Sequence, residues 1–490
     1  MRASTSNGSS DPPLQYRWIY VRANLQVQQN LKDAQALAAR AKAAGYNGIV
    51  LDDYKLQVLD RVPSRYFVNL AALKHSASEL GLKIFPVVCP IGYSNGLLSH
   101  DPNLAEGVPV REAPFIVKNR EARLMADAPV PLKGDQIVRV ETFRQYHVSI
   151  AIRMGPTIRA AVLTTSGRVL VRTEASAGRQ SWTTIHMVFN SLDNKRVRFL
   201  IDGSDIGKWK NANLEEVGLL NVLRRAGTPL TVQSEDGRSY EEGRDFRRVE
   251  DDRLGVVPYR GEYEVYHRPA AIRLTSRSRI EEGQRLRISF YHCVAAHDGQ
   301  MVCCLTEPKV YSLLEDQIRR VQALLEPAGF FLGHDEIRVA NWCDACRKRG
   351  LTPGRLLADN LRRCLEMTRR VNPKAELFVW SDMFDPAHNA RDQYHLVNGS
   401  WAGSWEALPK EVTVVNWNLN HRKKSLKWFA ERGHAQVIAG FYDRSPRENR
   451  FWMKDSSKAP NLMGAMYTTW TDNYECLESF AKRFGERCEP

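Results

Sequence analysis

Two adjacent carboxyl residues, Asp335 and Glu336, follow the apolar run Phe330–Gly333 after a single histidine, His334. A carboxyl pair brings a proton donor and a negative charge to one place, which is what cleavage of a glycosidic bond requires. Most glycosidases hold their two carboxyl groups ~5–9.5 Å apart on opposite sides of the anomeric centre. Consecutive residues cannot easily straddle a sugar ring that way. They can serve neighbouring atoms of one sugar, Glu336 protonating the glycosidic oxygen while Asp335 orients a substituent at C2. That division suits substrate assistance, in which a 2-acetamido carbonyl attacks C1 and no enzyme nucleophile is needed. A second reading keeps Glu336 as acid and takes Asp382, Asp443 or Asp472 as its partner from another strand. A third is a non-catalytic carbohydrate-binding protein.

Other apolar runs end in an aromatic residue with a polar neighbour. Trp380-Ser-Asp382, Asn416-Trp417-Asn418, Phe441-Tyr442-Asp443 and Tyr467-Thr-Thr-Trp470-Thr-Asp472 all do so. A pyranose has apolar C–H faces and a polar rim, so its pocket needs aromatic walls with carboxylates and amides between them. A packed core alone does not require that repetition.

HisAspGlu after an apolar strand, the following CysAspAlaCys, and LeuPheValTrpSerAspMet one helix later resemble the catalytic barrel of family-20 glycoside hydrolases, the β-N-acetylhexosaminidases. In that family the strand ends in GlyGlyAspGlu, so His334 here stands where the family has a glycine. The resemblance implies that Asp335 assists the acetamido group and Glu336 is the general acid/base. It also implies that Trp380, Trp417 and Trp470 line the pocket and that Tyr442 or Tyr467 holds the acetamido oxygen. Arg22 would contact sugar hydroxyls, and Asp382 and Asp443 are further substrate-binding candidates. His334, also in that set, would crowd the pocket or alter the substrate in the glycine's place.

These residues need a scaffold that gathers strand ends. Arg17–Ala23, Asn47–Asp52 and Lys83–Cys89 are short apolar runs, separated by helical stretches such as that carrying Leu31, Ala34, Ala38 and Ala41 on one face. Strand and helix alternate again after residue 300, with strands expected at Phe330–Gly333, Leu377–Trp380, Thr413–Trp417, Gln436–Phe441 and Leu462–Thr468. Continuous apolar runs of this kind suit parallel strands buried on both faces. With Leu286–Cys293 they number one more than an eight-stranded barrel needs, and that ninth run falls at an insert boundary. No GxGxxG turn follows the first strand, which favours a barrel over a doubly wound sheet. Between the two halves the period changes from 3.6 to 2, as at Val148, Ile150, Ile152 and Met154, or Val197, Phe199 and Ile201. The expected fold is an α/β (β/α)8 TIM-like barrel interrupted by an antiparallel β-sandwich. The expected division is a flexible N-terminus at 1–15, barrel at 16–111, inserted sandwich at 112–270 and barrel with the catalytic site at 271–490.

Composition narrows the class. A hydrophobic share of 43% with 26% charged residues excludes a disordered chain. No run of about 18 apolar residues occurs, so no membrane-spanning helix is expected. The net charge of +14 comes from scattered rather than striped residues, which argues against nucleic acid as partner. An oligosaccharide or glycoconjugate is the expected partner. The Ser/Pro-rich start lacks a signal-peptide core, making the cytoplasm the default expectation. Cys343-x-x-Cys346 has zinc-ligand spacing, but a structural site wants four ligands and the sequence shows no second such pair. No metal and no cofactor are therefore expected.

Overall fold

The computed structural model describes residues 14–153, 158–175, 182–202, 209–297, 299–456 and 459–485. Most of the expected flexible N-terminus, and Met154, lie outside them.

Eight parallel strands close into a barrel: Tyr16–Arg22, Gly48–Asp52, Lys83–Val88, Gly329–Leu332, Glu376–Trp380, Val412–Asn416, Gln436–Phe441 and Leu462–Thr468. The last pairs with the first through Gly464↔Tyr16 and Tyr467↔Ile19, which closes the ring. Period 2 turns alternate residues inward. Trp18, Phe85 and Phe378 fill the barrel interior, with Trp18 ring centroids 4.5 Å and 4.7 Å from the other two. Gly48 makes that possible, because a Cβ there would lie 2.6 Å from Trp18 Cδ1. Residues of opposite parity pack outward on the helices. Helix Gln28–Ala43 buries Leu31, Ala34, Ala38 and Ala41. Helix Pro308–Leu325 begins with proline, which loses no hydrogen bond at that position, and buries Val310, Leu314, Ile318 and Val321. Helix Pro353–Val371 is capped by the Thr352 side chain, which accepts from Arg355 N.

The chain leaves the barrel after its third strand and builds three antiparallel sheets before the fourth. Two are four-stranded, and their apolar residues, among them Val148, Ile150, Ile158, Val162, Val197 and Phe199, share one buried cluster. The third sheet is six-stranded and contains Val108–Lys118 beside Arg285–His292. The run expected at Leu286–Cys293 therefore belongs to an antiparallel sheet and not to the barrel. Antiparallel pairing extends from Val108 to His292, past both ends of the range 112–270. Among the described residues no helix is long and apolar enough to cross a membrane.

Candidate active site

A cavity of about 450 Å³ opens at the C-terminal ends of the barrel strands. Every strand contributes to its wall, directly or by the residues just after it: Arg22, Asp52, Val87, Asp335, Trp380, Trp417, Tyr442 and Trp470 in chain order. The closed parallel topology explains the gathering, since all eight strands run the same way and end at one rim.

Asp335 and Glu336 sit side by side in this cavity. Inward parity continues along the fourth strand from Phe331 through Gly333 to Asp335. Glu336 stays in the pocket because its backbone adopts φ 48°, a left-handed turn unusual for a residue with a Cβ. Asp382 supports that turn: its Oδ2 accepts from Glu336 N at 2.9 Å and from Asn389 Nδ2 at 2.8 Å. Gly92 lets the loop lie close, because a Cβ there would stand 1.8 Å from the Asp335 carbonyl oxygen.

The two carboxyl groups have opposite electrostatics. Burial pushes Glu336 up, but the Arg338 charge and the Tyr93 hydroxyl more than offset it and leave its pKa below the ordinary value. Arg338 Nη2 lies 2.6 Å from Glu336 Oε2, and the Tyr93 hydroxyl donates to the same oxygen. Arg338 in turn donates to Gln300 Oε1. Asp335 is held well above the ordinary value by burial first, then by the charges of Asp382 and Glu336. Burial also lifts Asp382, to about 7. At the end of the second strand Asp52 accepts from the Tyr20 hydroxyl at 2.7 Å and is raised by burial.

The aromatic wall is continuous. Trp417 stacks on Tyr442 with centroids 5.3 Å apart at 10°, and Trp470 meets Tyr442 edge-on at 5.4 Å. Tyr20 touches both Trp380 and Trp470. Arg22 donates to the Trp470 carbonyl at 2.8 Å, and its guanidinium lies 5.4 Å from that ring's centroid. Asp443 works from behind, accepting from Trp470 N at 2.5 Å and Thr471 Oγ1 at 2.8 Å. It fixes the loop that carries Trp470.

Seven of the residues singled out in the sequence thus share one cavity: Arg22, Asp335, Glu336, Trp380, Trp417, Tyr442 and Trp470. Asp382 and Asp443 stand behind it as positioning groups. Two expectations are corrected. His334 is fully buried on the outer side of its strand, its Nε2 3.0 Å from Asn360 Oδ1 on helix Pro353–Val371, so it does not crowd the cavity. Tyr467 also faces outward, stacked on Phe441 at 4.7 Å and donating to the Asn473 carbonyl. Both fall on the outward parity of their strands. Tyr20, Asp52, Tyr93, Gln300 and Arg338 were not anticipated. The strand-end position of Asp52 was a usable signal, whereas Gln300 arrives on the chain returning from the antiparallel sheets.

A second cluster lies apart from the cavity wall. Cys304, Cys343, Cys346 and Glu106 are all buried, with their candidate ligand atoms within 4.8 Å of one another. The cysteine pair thus has two further ligand-type residues beside it, brought from distant segments.

No family model and no curated protein matches the chain. Many of the solved structures similar to it are family-20 β-N-acetylhexosaminidases, at low sequence identity. A chitobiase from Flavobacterium johnsoniae is 11% identical with a TM-score of 0.42, over 97% of this chain and 48% of that one. A β-N-acetylhexosaminidase from Bacteroides fragilis is 10% identical with a TM-score of 0.43, over 96% and 66%. A rhamnosidase from Novosphingobium is 10% identical with a TM-score of 0.38, over 98% and 60%. The chain spans about half to two thirds of the length of these three proteins. At such identities and TM-scores no residue's role transfers from one chain to another.

Proposed function

We propose that the protein is a glycoside hydrolase that cleaves a β-linked 2-acetamido sugar by substrate-assisted, retaining catalysis. The observation that carries this reading is the side-by-side placement of Asp335 and Glu336 in a cavity walled by Trp380, Trp417, Tyr442 and Trp470. The aromatic faces suit the C–H faces of a pyranose, and Arg22 and Asp52 on another wall suit its hydroxyl rim.

In this reading the acetamido oxygen attacks C1 and the C1–oxygen bond to the leaving group breaks. Glu336 gives its proton to the departing oxygen. Asp335 accepts the acetamido N–H and balances the positive charge of the cyclic oxazolinium. Water then adds to C1 as the C1–acetamido oxygen bond breaks and the acetamide re-forms, Glu336 takes the water's proton, and the sugar leaves with its configuration retained. Without substrate, the proton favours Asp335 over Glu336. An acetamido N–H donated to Asp335 stabilises its ionised form, and a sugar covering Glu336 removes water from its carboxylate. Both effects move the proton to Glu336, where the leaving group needs it.

The Arg338 clamp favours a second reading. Glu336, kept ionised, is the nucleophile, and Asp52, raised by burial, is the acid from the end of the second strand. One experiment separates the two. Under the first, aryl 2-acetamido-β-glycosides turn over far faster than their 2-hydroxy counterparts and a cyclic thiazoline inhibits. Asp335→Asn then loses about 10²-fold in turnover, the usual scale for one transition-state contact. Covalent attachment of a 2-fluoro sugar to Glu336, with no thiazoline inhibition, establishes the second. Turnover of no glycoside at all leaves a sugar-binding protein.

A further inference from the structure

We propose that Cys304, Cys343, Cys346 and Glu106 form a structural zinc site. The cluster draws on three distant segments. Glu106 precedes the first antiparallel strand, Cys304 lies on the return to the barrel, and the other two begin a short helix downstream of Glu336. Among the described residues it is the group whose ligand atoms converge as a metal requires.

Four of the six ligand–ligand distances match a tetrahedron, and all the ligand atoms lie within 4.8 Å of one another. Ligand bonds of ~2.3 Å for Zn–S and ~2.0 Å for Zn–O put adjacent sulfurs roughly 3.8 Å apart and a sulfur and an oxygen roughly 3.5 Å apart. Cys304 Sγ lies 3.6 Å from both Cys343 Sγ and Cys346 Sγ. Glu106 Oε2 lies 3.5 Å from Cys343 Sγ and 3.4 Å from Cys346 Sγ. The carboxylate is also aimed. Its Oε1 accepts from Trp342 N at 2.8 Å and Cys343 N at 3.0 Å, leaving Oε2 toward the thiols. Such outer contacts are how ligands are oriented around a metal.

Chemistry selects zinc. Three soft thiolates and one carboxylate in a closed, buried tetrahedron suit Zn²⁺ over Mg²⁺ or Ca²⁺, which take oxygen donors. Four anionic ligands around a dication leave a net negative charge. Arg225, which donates to the Asn103 and Ala105 carbonyls, interacts electrostatically with Cys304, Cys343 and Glu106 and offsets it. Thr306 Oγ1 lies 3.4 Å from Cys304 Sγ and from Cys346 Sγ, within hydrogen-bond reach of the sulfurs. With all four positions filled by protein, the site is structural. It ties both crossings between barrel and antiparallel sheets to the loop that follows Glu336.

The test is elemental analysis and X-ray absorption on the full chain, purified under reducing conditions from zinc-supplemented cells. The expected result is about one zinc per chain with three sulfur neighbours and one oxygen neighbour. Cys304→Ser and Cys346→Ser should lose the metal, while Cys476→Ser, away from the cluster, should retain it. Where the cysteine variants do not fold, cobalt-loaded wild type should show the intense visible bands of a tetrahedral thiolate site. Metal-free protein whose thiols all titrate freely would overturn the proposal. So would a disulfide from Cys304 to Cys343 or Cys346.

Discussion

Glu336 Oε2 receives two partners, the Arg338 guanidinium and the Tyr93 hydroxyl, and both favour its ionised form. Removing the cation must therefore raise the Glu336 pKa, and the direction in which activity follows identifies its role. A general acid works protonated, so its pKa sets the alkaline limb of kcat/KM. In Arg338→Met that limb should move to higher pH if Glu336 donates the proton. A nucleophile works ionised, so the same variant would move the acid limb to higher pH instead. A pH profile of kcat/KM for wild type and variant reads the answer directly. Glu336→Gln adds a second measurement. Loss of proton donation typically costs ~10²–10⁴-fold, so activity on poor leaving groups should fall by that scale and on very acidic leaving groups by far less. Equal loss on both kinds would remove Glu336 from the acid role.

The fourth strand and the loop after the third meet at Gly92. A methyl group there would stand 1.8 Å from the Asp335 carbonyl oxygen, and the obstacle is backbone, which cannot rotate aside. Gly92→Ala should push the Asp335–Glu336 peptide out of place. Displacement of a catalytic group by about 1 Å can cost ~10²-fold in rate. The expected outcome is a fall in kcat of that order, with ~1–3 kcal/mol lost from the unfolding free energy through overpacking and a lower denaturant midpoint. Unchanged kinetics would show that the loop tolerates the shift. Strand parity also explains what could be read from the sequence. The position of Asp335 just past a strand end is legible because the apolar run that ends at Gly333 marks a strand terminus. His334 and Tyr467 were drawn into the pocket by proximity in sequence. Yet Gly333 and Asp335 face the cavity, which turns the intervening His334 outward toward Asn360. Met466 likewise fills the barrel interior, leaving Tyr467 on the outer side. Tyr442 escapes that rule, because three consecutive residues, Phe441, Tyr442 and Asp443, take positive φ and turn its ring back inward.

At the scale of the molecule, the switch from helical to alternating periodicity located the antiparallel region, but nothing in the pattern specified how it joins the barrel. Long-range pairs make that join. Arg168 donates to the His395 and Val397 carbonyls, the latter at 2.8 Å, and Tyr291 donates to Asp344 Oδ1 at 2.7 Å. Phe143 meets Trp342 edge-on with centroids 6.1 Å apart. Gln300, on the returning chain, holds Arg338 in the candidate active site. None of these leaves a local sequence signature. One buried apolar cluster runs from Ile19 and Leu51 in the barrel through Val148 and Phe199 in the antiparallel sheets. Parts joined by a thin linker unfold separately, whereas parts that share a core lose each other's support. Heating should therefore give one calorimetric transition, with calorimetric and van't Hoff enthalpies in agreement. Arg168→Ala should lower its midpoint without splitting it, since two charge-assisted bonds are worth about 1.5–3 kcal/mol each. Two resolved transitions in the wild type, one removed selectively by proteolysis within residues 108–292, would show that the antiparallel sheets stand on their own and that the shared core does not couple them.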